Sequence, residues 1–135
     1  MAIVRPSKTK ASPSRSPRSE WASFGYAFQG VSKLLATQPH ARFHALATLV
    51  LLLLCIWLRP SGTQAAVLAV AAGSVWSAEA FNTCIEGLVD LVHPEWHERA
   101  GAIKDVAAAG VLLAAVAALV AGICVLGPLL YERLV

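Results

Sequence analysis

An all-α fold that crosses a membrane three times, preceded by an amphipathic surface helix, is predicted by three observations. The 135-residue chain is 57% hydrophobic and 14% charged, with a mean hydropathy of +0.63; an average soluble protein carries about 25% charged residues. Its apolar residues gather into three runs, each long enough to cross a hydrocarbon core of about 30 Å. Lysine and arginine are distributed unevenly around those runs. Seven precede or open the first (Arg5, Lys8, Lys10, Arg15, Arg18, Lys33, Arg42) and two lie between the second and third (Arg99, Lys104), against Arg59 and Arg133 on the other side. That asymmetry puts the N-terminus and the 93–105 segment in the cytoplasm of a multi-pass inner-membrane protein. By length the chain is one domain.

Residues 1–20 carry five Lys/Arg and three Pro among serines, and read as a disordered basic cytoplasmic tail. No apolar run of signal-peptide length follows directly, so the segment is not read as a cleaved leader. The pI near 9.0 fits contact with anionic membrane lipids and control of topology, not nucleic-acid binding. Over residues 21–38, Phe24, Phe28, Val31 and Leu35 share one helix face, with aromatics at one end and Lys33 near the other. This pattern predicts a helix lying in the membrane interface, ended or bent at Pro39. GYAFQGVSK has two glycines at phosphate-loop spacing but lacks the Lys-Ser/Thr pair and a preceding strand, which excludes a P-loop.

The first apolar run, about 41–58, contains Arg42 and His44 near its start and closes on the turn signal RPSGTQ. The second stays helical in pattern over 65–92, about 42 Å at the α-helical rise. The third covers about 106–130, with Gly127-Pro128 near its end. Between the last two, HPEWHERAGAIKD reads as a polar helix with Pro94 at a first-turn position. Small residues recur every four positions at Ala65, Ala69, Gly73, Ser77 and at Gly110, Ala114, Ala118, Gly122. Such rows let backbones approach closely in lipid and predict contacts between copies of this thin bundle. Cys55, Cys84 and Cys124 lie one per run and read as small apolar packers.

Charge enters the second span late. Taking about 100° per residue, Glu79, Asn82, Glu86 and Asp90 fall within an arc of about 80°, with Thr83 beside it. Glu79 lies about 21 Å from the start of the span, inside the cytoplasmic half of the bilayer. Six of the eight acidic residues lie between 79 and 105, and Lys104-Asp105 sits at the mouth of the next span. Ionisable side chains at that depth point to function. A structural reading makes them a salt-bridge network in which Lys104 neutralises Glu86 or Asp90, but it leaves Glu79 without an evident cation. A chemical reading fits phosphoryl transfer at the interface. In it, carboxylates hold Mg²⁺, Lys104 meets phosphate oxygens, and a deeper carboxylate takes a proton from a lipid hydroxyl. His93 and His97 stand at i, i+4, but HPEWH is not HExxH and no third zinc ligand follows; His97 is given a polar contact role.

The run Glu79-Ala80-Phe81-Asn82-Thr83-Cys84-Ile85-Glu86-Gly87-Leu88-Val89-Asp90-Leu91, with EWHERAGAIKDVAAAGVLLAA after it and SFGYAFQG and ARFH before it, resembles the small bacterial diacylglycerol kinase family. That family also includes undecaprenol kinases. The resemblance covers about residues 20–125 without a gap. It implies three transmembrane helices and a surface helix per chain, a homotrimer, and MgATP-dependent phosphorylation of a lipid alcohol. By position it implies Glu79 as general base and Glu86 as a metal ligand near ATP. It further implies Phe24, Asn82 and Asp90 as the wall of the substrate site, and Tyr26, Glu95, Trp96, His97, Lys104 and Asp105 as nucleotide contacts.

Three positions depart from well-known members. Gln38 stands where they carry a second metal-binding Glu, so metal binding there should be weaker. Gln29 replaces a basic residue of some members, and Ser19 stands at an N-terminal Arg position, one step from Arg18. The expected activity is phosphorylation of diacylglycerol, with undecaprenol the runner-up. Rivals from other classes are a non-catalytic membrane assembly factor or degenerate kinase with a structural stripe, and a small transporter using Glu79 as a proton site.

Overall fold

The computed structural model describes residues 18–135. The basic tail expected over 1–20 therefore lies outside the described residues, apart from its last three positions, which form the first turn of α1. Four helices follow: α1 (Arg18–Thr37), α2 (Pro39–Leu58), α3 (Gly62–Val92) and α4 (Glu98–Leu134). The last three are long and apolar enough to cross a membrane. The protein is an all-α integral membrane protein.

The chain divides into a unit of residues 1–32 and a unit of residues 33–135. In the first, Trp21, Phe24, Tyr26 and Phe28 are exposed, and the Trp21 and Phe24 rings stack at 6.1 Å. The second holds the end of α1 and the three spans.

Its helix ends are set by identifiable chemistry. Pro39 opens α2 at the first helical position, where its missing N–H is no loss. Gln38 alone separates α1 from α2, so the proline starts the span rather than bending the surface helix. The Arg42 guanidinium donates from Nε to Leu35 O (2.9 Å) and from Nη2 to Ala36 O (2.6 Å). It thereby supplies donors and positive charge to the carbonyl end of α1. This is why a cation is tolerated at the start of an apolar run. Arg59 ends α2 in the left-handed region (φ 52°) with its N–H on Cys55 O at 2.9 Å. Ser61 and Gln64 then form a reciprocal capping box that starts α3.

The polar helix expected over 93–105 is not separate. Residues 93–97 are non-helical, His97 caps α4, and Glu98 begins a helix that runs through the third span. Pro94 thus lies in the connection rather than in a first turn. Pro128 sits inside α4 and does not end it.

α3 and α4 form the main packed pair, with α2 making a lighter contact on both. Leu68, Val75 and Asn82 are buried at seven-residue intervals on α3. The less exposed positions of α4 include Ala107, Val111, Ala114, Ala118, Ala121 and Val125, spaced three or four residues apart on one helix face. A hydrogen bond from Trp76 Nε1 to Thr48 Oγ1 (3.0 Å) ties α3 to α2. The two small-residue rows therefore separate. Ala114, Ala118 and Gly122 are half-buried and line grooves between the helices, whereas Gly110 is exposed. Ala69, Gly73 and Ser77 stay exposed on α3.

Ala118→Leu adds bulk to a row of small residues suited to meeting another helix, and is expected to shift the assembly towards monomer in detergent, read by light scattering. A side chain at Gly73 meets nothing within 4 Å in one chain. Gly73→Leu is therefore expected to leave the melt of a single chain intact and to change only assembly, measured by light scattering in detergent.

Candidate active site

The site grows out of the packing stripe of α3. The heptad face that buries Leu68 and Val75 continues through Glu79 (2% exposed) and Asn82 (9%), then reaches half-buried Glu86 and exposed Asp90. The polar arc expected from spacing is therefore the inward face of the helix. Asn82 Nδ2 donates to Glu86 Oε1 at 3.0 Å. Asn82 Oδ1 and Thr83 Oγ1 are buried with no hydrogen-bond partner. Buried acceptors without partners are uncommon in folded proteins and call for an explanation.

Glu79 is not alone. His44 of α2 reaches it, Nε2 to Oε2 4.0 Å, with both side chains largely buried (14% and 3% exposed). The sequence left this carboxylate without an evident partner; the structure brings a histidine to it from the first span. A signal was available: His44 follows Ala41 and precedes Thr48 on the inner face of α2. Lys104 pairs with Asp90, resolving the choice between Glu86 and Asp90 in favour of the outer residue. Lys104 is thus held at the mouth of the α3–α4 hairpin, well away from Glu79 along α3.

The remaining residues lie further out. Glu95, Trp96 and His97 occupy the 93–97 connection, and Trp96 is 89% exposed. His97 Nδ1 accepts from Arg99 N–H (3.2 Å), so its polar contact is a helix cap. Asp105 is exposed beside Lys104. Gln38 is the half-buried residue before α2, and its side chain makes no capping bond. Tyr26 and Phe24 belong to the 1–32 unit, both exposed.

Among the described residues no three His, Cys, Asp or Glu side chains converge as a metal cluster. Mg²⁺ does not need one, since it commonly takes one or two carboxylates together with phosphate oxygens and waters. Glu86 and the orphaned Asn82 Oδ1 are hard oxygens of the right kind. Below Glu79, an apolar groove of about 740 Å³ runs between α2, α3 and α4, with His44, Thr48 and Trp76 among its lining residues.

A family model described as prokaryotic diacylglycerol kinase matches residues 25–126. The chain belongs to that family. It is 40% identical over 114 residues to a diacylglycerol kinase of Synechocystis sp., covering 84% of this chain and 65% of that protein. It is 32% identical over 106 residues to an undecaprenol kinase of Bacillus subtilis, covering 78% and 86%. It is 28% identical over 96 residues to a diacylglycerol kinase of Escherichia coli, covering 71% and 79%. The chain thus spans about two thirds of the Synechocystis relative. The family match includes all of the α3 stripe, His44 and the 93–97 connection.

The exposed Lys104–Asp90 pair should contribute about 0–1 kcal/mol to stability. Asp90→Asn is therefore expected to move the melting temperature by little. A large drop in the melt would make the stripe a structural network.

Proposed function

We propose that this chain is an ATP-dependent lipid kinase that phosphorylates a membrane alcohol, with diacylglycerol as the first candidate. The observation that carries the reading is a carboxylate, Glu79, buried on an inward helix face beside an apolar groove inside the membrane-spanning region. A charge at mid-membrane depth costs about 2.5–3.5 kcal/mol on insertion scales, and a structural role would be served as well by a neutral residue. The family membership and the relatives' names support the same reaction class.

The lipid tail lies in the apolar groove, with its hydroxyl at Glu79. The O–H bond breaks towards the Glu79 carboxylate, the freed oxygen attacks the γ-phosphorus of ATP, and the bond to the ADP oxygen breaks. Glu86, with the Asn82 amide oxygen beside it and Gln38 as a weaker ligand, holds Mg²⁺. When bound, the ion neutralises charge on the phosphate oxygens. Lys104 meets the phosphates as Asp90 releases it. The segment of Glu95, Trp96 and His97, with Asp105, contacts the nucleotide; the exposed indole offers a face for a purine. Asn82 and Asp90 wall the substrate side. The N-terminus and the 93–97 connection face the cytoplasm, where ATP is found. Copies of the chain meet through their rows of small residues, such as the exposed Ala69, Gly73 and Ser77; the number three, a homotrimer, comes from the family resemblance.

The deciding assay is transfer of labelled phosphate from ATP by purified protein, with diacylglycerol and undecaprenol offered in parallel. Product with the first and little with the second is expected; the reverse assigns an undecaprenol kinase. ATP turnover that ignores added lipid alcohol would remove the kinase reading.

Glu79→Gln should abolish turnover, by about 10²–10⁴-fold as is typical of a lost general base, while the melt stays near wild type. Activity above a tenth of wild type would show that another group takes the proton. Gln38→Glu restores a charged oxygen and is expected to lower the Mg²⁺ concentration for half-maximal rate. An unchanged Mg²⁺ titration would place Gln38 away from the metal.

A further inference from the structure

We propose that His44 is a positioning residue for the reaction: its Nε2–H holds Glu79 Oε2 and leaves Oε1 to receive the lipid proton. The inference rests on Glu79 being the base, and it adds the group that makes that base usable. Both side chains are buried, and 4.0 Å separates Nε2 from Oε2. That is an ion-pair distance too short for an intervening water. Catalytic contacts of this kind are commonly long in the unliganded state and tighten when substrate is bound.

Elimination strengthens the case. Among the described residues Arg42 bonds the Leu35 and Ala36 carbonyls, Lys104 pairs with Asp90, and neither Lys33 nor Arg99 pairs with Glu79, whereas His44 does. Burying a carboxylate is costly unless a donor faces it, and His44 is the side chain placed to do so. Histidine suits the task because it can offer an N–H without committing a permanent full charge to the bilayer.

The imidazole is itself held in place. Thr48 Oγ1 donates to the His44 carbonyl at 2.7 Å and accepts from Trp76 Nε1 at 3.0 Å, so α3 fixes the turn of α2 that carries His44. The Phe43 ring lies edge-on at 5.9 Å. His44 also lines the apolar groove. The same side chain therefore orients Glu79 and marks the end of the groove at which a lipid hydroxyl can be hydrogen-bonded.

The test measures kcat and the KM for ATP, in detergent with diacylglycerol, for His44→Leu, His44→Asn and His44→Gln, with Glu79→Gln alongside and a thermal melt of each. His44→Leu should lower kcat by about 10²-fold, the scale of a misplaced reacting group, with the KM for ATP within about twofold of wild type. His44→Gln, whose amide N–H can still reach Glu79, should recover most of that loss. His44→Asn, too short to reach, should not; it carries the test if the leucine variant melts early. A leucine or asparagine variant that keeps more than half of wild-type kcat overturns the proposal. So does a glutamine variant as slow as leucine, or a loss confined to the KM for ATP. An inactive Glu79→Gln beside an active His44→Leu removes the positioning role alone, whereas an active Glu79→Gln removes both.

Discussion

Keeping an ionisable carboxylate inside a membrane-spanning helix constrains everything around it. Glu79 is 2% exposed, so its surroundings must supply what water would otherwise provide. That requirement turns the polar face of α3 inward and brings His44 across from α2. It also explains the small residues of α4. Opposite Asn82 and Ile85, α4 presents Ala102 and Ala107, small side chains of the kind that let helices associate in lipid, where no hydrophobic force draws them together. The Trp76–Thr48 hydrogen bond holds the third helix against the pair.

Polarity then grades along α3 from the buried end outwards. Glu79 faces a histidine, Glu86 accepts from Asn82, and Asp90 meets a lysine in water. A lipid alcohol and a nucleotide have opposite solvation needs, and a gradient of this kind lets one helix serve both. Asn82 Oδ1 and Thr83 Oγ1, buried without partners, sit where the two environments meet.

Most of the fold was legible because membrane physics restricts the options. Length and hydropathy placed the starts of the first two spans close to Pro39 and Gly62, while the third helix begins at Glu98, well before the expected 106. The 100° period put the acidic stripe on one face. What escaped were features set by contacts between distant segments. His44 read as an interruption of an apolar run, since nothing within the run says that it faces residue 79. Both small-residue rows had the same spacing, which says nothing of depth: Ala114, Ala118 and Gly122 are half-buried, while Ala69, Gly73 and Ser77 are exposed. The polar 93–105 stretch split because His97, not Pro94, caps α4. The assignment of residues to ATP rests on the family motif, since Trp96 and Glu95 stand in a solvated connection whose shape no periodicity encodes.

α4 is a single helix of 37 residues, about 56 Å long at the standard rise, in a membrane whose apolar core is about 30 Å. Its first turns stand clear of the lipid, and they carry Lys104 on the same rod as the transmembrane packing face. A thinner or thicker bilayer changes the tilt at which such a rod rests. Tilt moves Lys104 relative to Asp90 at the far end of the lever. In a bilayer of different thickness, α4 would carry its change of tilt to the Lys104–Asp90 pair at the mouth of the hairpin.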